Sequence, residues 1–404
     1  MTDDLAKLGK QFRAELWPHT QLIEPSPLDE GLSLLDTATF LRMNTDLKWL
    51  VKQILVEGQP AIMGGAKKTL KTSLLIALAI AMASGRHFLG RFAVPRALRV
   101  GLISGEAGAA TIKETFLRVC RAMIIDEPEE LGICWGFRLP QLSVRQQLDA
   151  LSELIKENEL EVVILDPLYL CLLAGGTDLQ ASNLYHIGPL LADVSRACLD
   201  AGATPILAHH TRMDKSASYA QPELGDLTFA GVQEFARQWL LVGRRERYEP
   251  GSGEHKLWLN VGGSAGFSGC WALDLEEGVV SDDFTGRRWK VAVRSATDER
   301  QQKEKERGAE KQQEAAKDRA EVIKVLRRHP NGETYTQLHE GTPISKKRVR
   351  IALDQMLEAG AVVECEIMKP GGRGMHAQVA YRLVVPQADE DDVEEDELDE
   401  EVDA

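Results

Sequence analysis

Ten residues, Gly64 to Ser73 (GGAKKTLKTS), constrain this chain more than any other stretch. They follow the apolar run Ala61-Ile62-Met63 and open onto LLIALAIAMA, which reads as a strand, a tight loop and a helix. The loop Gly65, Ala66, Lys67, Lys68, Thr69, Leu70, Lys71, Thr72, Ser73 has the spacing of the phosphate-binding pattern G-x-x-x-x-G-K-[ST]. In such a loop the backbone N–H groups and the positive helix end cradle phosphates; Lys71 would reach the β- and γ-phosphates, and Thr72 would hold Mg²⁺. ATP and Mg²⁺ are therefore the expected ligands. One position departs from the pattern, since Leu70 stands where the second glycine belongs. A leucine is tolerated there only where the backbone avoids positive φ, because left-handed Leu costs roughly 1–2 kcal/mol. An ordinary strand-turn-helix with chance lysines is the competing reading of these residues alone.

The chain's bulk properties narrow the setting. Its 404 residues allow two or three domains. The longest apolar stretch, Leu74 to Ala83, fits a buried helix and is too short to span a bilayer, so no membrane partner is expected. The first ten residues carry early acids and no apolar core, unlike a secretory signal. Six cysteines lie scattered without a C-x-x-C pair, which argues against a zinc site or a disulfide framework and for a reducing, cytoplasmic location. The net charge of −14 is concentrated: residues 389–403 hold twelve Asp/Glu and no Lys/Arg, leaving −2 for the rest once those twelve are subtracted. The acidic segment reads as a disordered, self-repelling tail. It serves either solubility or, as a DNA mimic, competition for the chain's own basic surfaces.

Five regions are expected. Residues 1–45 form a lead-in. Residues 46–295 alternate short apolar runs with amphipathic stretches, the pattern of an α/β domain with a mainly parallel sheet covered on both faces. Its expected strands end at Met63, Ser104, Leu165 and Ala208, with helices over 72–84, 110–123, 144–157 and 183–201, and shorter strands with Gly-rich turns beyond Phe229. Residues 296–319, almost all Glu, Lys, Arg, Gln and Ala, form a solvated helical linker. Residues 320–386 read as three helices, the third capped by Ser345 and stopped by Gly360, and then two strands around the turn Lys369 to Gly374: a winged helix-turn-helix. Residues 387–404 are the acidic tail.

Further features follow the loop. Val162-Val163-Ile164-Leu165-Asp166 is an apolar strand ending in a carboxylate, placed to hold Mg²⁺ at the carboxyl edge of a parallel sheet. Leu102-Ile103-Ser104-Gly105-Glu106 delivers Glu106 to the same edge, where a carboxylate could deprotonate an attacking water, although a surface Glu in a turn is the plainer alternative. The strand Thr204 to Ala208 delivers His209 and His210, suited to sensing a γ-phosphate and poor evidence for a metal. A polar loop, Thr211 to Asp226, carries Arg212 and Lys215.

In this order the motifs resemble those of the RepA-like branch of the RecA/DnaB superfamily, hexameric plasmid replicative helicases and related mobile-element ATPases. The resemblance covers about Leu47 to Val261 and is most specific in Leu165-Asp166-Pro167-Leu168-Tyr169, the loop Gly175-Gly176-Thr177-Asp178, and Ala208-His209-His210-Thr211-Arg212. It implies a RecA-like core, Glu106 as catalytic base, Lys71 and Thr72 as phosphate and Mg²⁺ ligands, Asp166 as the Walker B acid, and His209 or His210 as sensor. It further implies a homo-oligomeric ring, a hexamer favoured, in which Arg212 and Lys215 touch DNA or reach a neighbour's γ-phosphate, with Arg244 and Arg245 as rival fingers. Leu70 departs from the family's usual glycine, which puts the rate in question more than binding.

Residues 321–385 hold ten Lys/Arg against seven Asp/Glu. Lys346, Lys347, Arg348 and Arg350 open the expected recognition helix and Lys369 and Arg373 decorate the wing, a pattern that fits duplex phosphate contacts; protein contact is the alternative. The leading expectation is thus an ATPase acting on DNA, passing single strands through a ring. The second is an ATP-gated DNA-binding regulator without unwinding activity, favoured by the acids Glu223 and Asp226 and the sparse basic residues in the central loop.

Overall fold

The computed structural model describes residues 34–43, 45–172, 183–212, 219–279, 286–371 and 374–384. The loop Gly175 to Asp178, Lys215, Arg373, most of the lead-in and the acidic tail lie outside the described residues. The chain divides into two compact units, Met1–Ala296 and Thr297–Ala404.

The first unit opens with a short helix α1 (Thr37–Arg42), whose first turn is capped by the Asp36 carboxylate accepting from the Thr39 N–H at 2.7 Å, and a ribbon of β1 (Trp49–Val51) and β2 (Leu55–Val56). The remainder alternates strand and helix: β3 (Ala61–Gly65), α2 (Lys71–Ser84), β4 (Val100–Ser104), α3 (Ala109–Ala122), β5 (Ile133–Gly136), α4 (Arg145–Glu157), β6 (Val162–Asp166), α5 (Leu168–Leu172), α6 (Leu184–Asp200) and β7 (Thr204–His210). A single-turn helix α7 (Val232–Phe235) then leads to β8 (Gln238–Arg244), β9 (Glu254–Gly263), β10 (Ser268–Gly278) and β11 (Arg287–Ser295). Nine strands form one mixed sheet in the order β11-β10-β9-β8-β3-β7-β6-β4-β5. The six from β8 to β5 run parallel, and the three beyond β8 continue as an antiparallel meander.

The apolar runs explain the layering. Parallel strands buried on both faces must be apolar on both. In β6, Val162 and Ile164 point to one core while Val163 and Leu165 point to the other. The first core holds α2 and residues of α3; the second holds residues of α4 and α6. Helix α2 is buried almost all round, from Leu74 to Ala83, as expected of a helix with no polar face that sits inside a domain. Each fully buried Leu or Ile there contributes about 1.5–3 kcal/mol. The buried Gln238 amide ties the ribbon to the sheet, accepting from the Val56 N–H at 2.8 Å and donating to the carbonyls of Val56 and Gln59.

Three departures from the sequence expectations stand out. Strand β7 extends through His210, so both histidines lie within the strand and take its alternation, His209 buried and His210 half-buried. Strand β5 and helix α5 were not expected. And residues 296–319 are not separate from the next helix: α8 (Ala296–Leu326) is one continuous helix of 31 residues, polar over its length until Val322 and Leu326 enter a core.

In the second unit, α8 is followed by β12 (Glu333–Thr334), α9 (Tyr335–Glu340), α10 (Lys346–Glu358) and the long hairpin β13 (Val362–Gly371) and β14 (Gly374–Leu383), with β14 central in a three-stranded sheet. Val322, Leu326, Leu338, Val349, Leu353, Met356 and Tyr381 make its core. Ser345 occupies the position before α10 but makes no side-chain cap bond, and Gly360 follows that helix at φ +66°. No described helix is long and apolar enough to cross a membrane.

Candidate nucleotide site

Five strand ends converge on one edge of the sheet. Register fixes this: Gly65 of β3 lies opposite His210 of β7 and Val242 of β8, and Ser104 of β4 lies opposite Asp166 of β6. Parallel strands deliver their following loops to the same carboxyl edge, where ligands of such sheets bind. A cleft of about 900 Å³ opens there, lined among others by Lys68, Lys71, Thr72, Glu106, Asp166 and His210.

The loop after β3 shows why it has glycine at one end and pays for leucine at the other. A Cβ on Gly65 would lie 2.8 Å from the Val242 carbonyl oxygen and 2.8 Å from Thr69 Oγ1, so only glycine fits. Leu70, by contrast, adopts φ +63° and ψ 25° immediately before α2, the left-handed conformation that the missing glycine would have taken freely. The condition under which leucine is tolerated, an absence of positive φ, is not met. The backbone carries the roughly 1–2 kcal/mol of strain, against which the Leu70 side chain packs on the main core.

Lys71 is 8% exposed and its Nζ donates to the carbonyls of Gly65 at 2.8 Å and Ala66 at 2.9 Å. It also lies 3.3 Å from His210 Nδ1. Burial lowers its pKa to about 8, opposed by the charges of Asp166 and Glu106, so the ammonium persists at neutral pH. Thr72 Oγ1 donates to Asp166 Oδ2 at 2.6 Å. Burial raises the Asp166 pKa, with the Thr72 bond and the Lys71 charge opposing. A buried carboxylate and a hydroxyl meeting at one point supply hard oxygen donors, and a divalent cation would offset the desolvation that raises Asp166. These residues fit Mg²⁺.

Glu106 is exposed on the loop after β4, and its Oε1 accepts a short hydrogen bond from the Tyr169 hydroxyl. That bond, helped by burial, pushes the Tyr169 pKa up to about 12 and keeps it a donor. The Tyr169 ring lies 5.6 Å from that of His210, tilted by 33°. His209 is 1% exposed, and its Nε2 lies 2.9 Å from both the carbonyl and the hydroxyl of Thr228. Since the Thr228 hydroxyl donates to the His210 carbonyl at 2.8 Å, it is the His209 ring N–H that donates to Thr228. Burial lowers the His209 pKa to about 4. Burial and the Lys71 charge lower that of His210. Of the two histidines, His210 reaches the phosphate lysine and His209 braces the strand against residue 228.

The basic candidates separate. Arg244 lines this chain's own cleft: its Nη2 donates to the Lys68 carbonyl at 2.7 Å and its guanidinium lies 4.9 Å from the Tyr248 ring, which stacks on His255 at 4.7 Å. Arg244 thus lies beside the phosphate loop of its own chain. Arg245 is not among the residues that line the cleft. It is 5% exposed, makes a short ion pair with Asp274, and sits 5.7 Å from the Trp258 ring, a structural role inside the sheet. Arg212 is exposed, its N–H donating to the Asp226 carbonyl at 2.7 Å, away from the cleft lining. Lys67, Thr69 and Ser73 line the cleft; Gly65 and Ala66 contribute their carbonyls to Lys71.

In the second unit, Arg348 forks onto Asp318, at 2.7 Å from Nε and 2.5 Å from Nη2, and reaches Glu314 at 3.0 Å. Lys369 pairs with Glu333, and Arg350 pairs with Asp354 and donates to the Tyr381 hydroxyl at 3.2 Å. Lys346 lies over the Tyr335 ring at 5.8 Å, and Lys347 is exposed. Arg348, Arg350 and Lys369 thus each make an ion pair within the chain.

The sequence reading gave no role to Tyr169, Thr228, Tyr248 or His255. Tyr169 could have been found, since it lies three residues beyond Asp166 on the turn that leaves the site; the other three carry no local signal. Among the described residues no disulfide joins the six cysteines, and no cluster of three or more His, Cys, Asp or Glu suited to a metal occurs.

Residues 25–216 match the family described as AAA domain. The chain therefore carries a P-loop ATPase domain, an ATP-hydrolysing enzyme that binds nucleotide. Among solved structures, a KaiC-like protein from the hyperthermophilic archaeon Pyrococcus horikoshii aligns with 15% identity and a TM-score of 0.38, covering 60% of this chain and 93% of its own. No curated protein matches the sequence.

Proposed function

We propose that the chain is a RecA-like motor ATPase of the RepA/DnaB kind, assembling as a homo-oligomeric ring and acting on DNA. The observation that carries the catalytic part is the meeting of Lys71, Thr72, Glu106, Asp166 and His210 at one sheet edge. ATP would lie on residues 65–73, with Lys71 leaving its loop carbonyls for the β- and γ-phosphates. Thr72 and Asp166 would hold Mg²⁺, which when bound neutralises developing phosphate charge. Glu106 takes the proton of a water aligned in line with the γ-phosphorus. The bond to the β–γ bridging oxygen breaks, and its electron pair leaves on ADP. His210, 3.3 Å from Lys71 and covalently next to His209, would pass the loss of phosphate to residues 211–228.

The DNA part rests on the second unit. Three helices and a long hairpin, with Lys346 and Lys347 at the start of α10, have the layout of a winged helix. A second reading, an ATP-gated DNA-binding regulator, is favoured by a specific observation: Arg348, Arg350 and Lys369 are ion-paired internally, and Glu223 and Asp226 dominate the described part of the central loop. Steady-state ATP hydrolysis with and without single-stranded DNA decides between them, beside Lys71→Ala and Glu106→Gln. A motor shows DNA-stimulated turnover that Lys71→Ala abolishes and Glu106→Gln lowers steeply to a residual rate. Turnover indifferent to DNA supports the regulator.

A further inference from the structure

Glu106 has little to hold it. It stands exposed on the turn after β4, next to Gly105, and a free glutamate there has several rotamers open to it. Its carboxylate meets the turn after the adjacent strand β6, where the Tyr169 hydroxyl donates to Oε1. Tyr169 is itself well fixed. It sits in the first turn of α5, three residues beyond Asp166, between Leu168 and Cys171, both fully buried. The Gly105 N–H also donates to the Asp166 carbonyl at 2.8 Å, so the turns carrying Glu106 and Tyr169 are clamped together at their roots.

We infer that Tyr169 is a positioning residue for ATP hydrolysis: its hydroxyl holds one oxygen of Glu106 and thereby aims the other at the attacking water. The inference rests on Glu106 being the base. A base needs one atom free to accept the proton and a second group to fix its direction, and Tyr169 supplies that second group. The tyrosine keeps its own proton throughout, and the water's proton goes to the unbonded oxygen of Glu106. Because the Tyr169 ring also lies 5.6 Å from the His210 ring, which neighbours Lys71, the aim of the base follows the position of the residues that meet the γ-phosphate.

The test is a double-mutant cycle on the full chain, with kcat and KM for ATP measured for wild type, Tyr169→Phe, Glu106→Gln and the pair. Tyr169→Phe removes one oxygen and keeps the ring against His210. Its kcat is expected to fall by at least about tenfold, as for a misdirected catalytic group, with KM unchanged within about twofold. In the Glu106→Gln background the same substitution is expected to change nothing further, since there is no base left to aim. A kcat that is unchanged or raised in Tyr169→Phe overturns the inference, as does a loss that adds fully to that of Glu106→Gln. A folding defect would add in that way, so the cycle still decides if the melting temperature of Tyr169→Phe drops. Wild-type turnover in Glu106→Gln alone would remove the base assignment, and the inference with it, while leaving the ATPase activity standing.

Discussion

At the scale of single residues, two positions show opposing demands settled locally. Leu70 is strained at φ +63°, yet its side chain packs on the main core. Glycine there would relieve the strain and lose the packing, whereas alanine would keep the strain and lose the packing. Leu70→Ala is therefore expected to be less stable than Leu70→Gly by about 1 kcal/mol in urea melts. The reverse order would show that the loop is not held left-handed. His209 poses a pH question. Its folded pKa of about 4 lies below the model-peptide 6.5, so the folded state binds fewer protons between those values. The stability it contributes is complete above pH 6.5 and is lost as pH falls toward 4, by a few kcal/mol at most. Melts from pH 7 to pH 4.5 are expected to decline more steeply for wild type than for His209→Asn. Parallel curves would assign the acid sensitivity elsewhere.

At the scale of elements, the meander beyond β8 is fastened by charge. Glu277 of β10 takes Arg118 of α3 at 2.8 Å, Arg287 at 3.3 Å and His255 of β9 at 3.3 Å. Burial opposes its ionisation, but the bonds from His255 and Arg118 and the arginine charges prevail, bringing its pKa to about 2. Glu277→Ala would strand the buried Arg118 guanidinium without its main partner, with a cost of about 3–5 kcal/mol by chemical denaturation. A loss below 1 kcal/mol would mean that Glu114, 3.2 Å from Arg118, suffices. The elements themselves differ in how far they can be read from their residues. Strands β3, β4 and β6 announce themselves as unbroken apolar runs because both faces are covered, and α4 by its amphipathic period. Strand β5 (Ile133–Gly136) is short and only half-buried at the sheet edge, so its composition says little. The helix runs on past the boundary expected at residue 320 because Glu, Lys, Gln and Ala are strong helix formers, and no residue there breaks it where burial begins.

At the scale of the whole molecule, the question is which charges remain for a nucleic acid. Among the described residues of α10, Lys346 and Lys347 make no ion pair, whereas Arg348 binds Asp318 and Glu314. Lys346→Ala/Lys347→Ala is expected to weaken duplex binding and to lower the salt slope of log affinity by up to about 2. Arg348→Ala is expected mainly to destabilise the second unit. If the lysine pair changes neither affinity nor slope in fluorescence anisotropy titrations, α10 is not a DNA-binding helix and the regulator would need another surface.

The sequence by itself determined the phosphate loop, its lysine and threonine, the strand-end carboxylates Glu106 and Asp166, and the α/β alternation, because these depend on spacing along one chain and on the period of burial. It could not decide which charges were free. Arg244 and Arg245 are neighbours in sequence with one residue type, yet one lines the nucleotide cleft and the other is buried against Asp274. Adjacent residues on a strand point to opposite faces, and only the assembled sheet says what each face meets. The same holds for Tyr169 and Glu106, which stand 63 positions apart and share a hydrogen bond because β4 and β6 lie side by side. Local order follows from residue chemistry, whereas partners far apart in sequence are fixed by strand order.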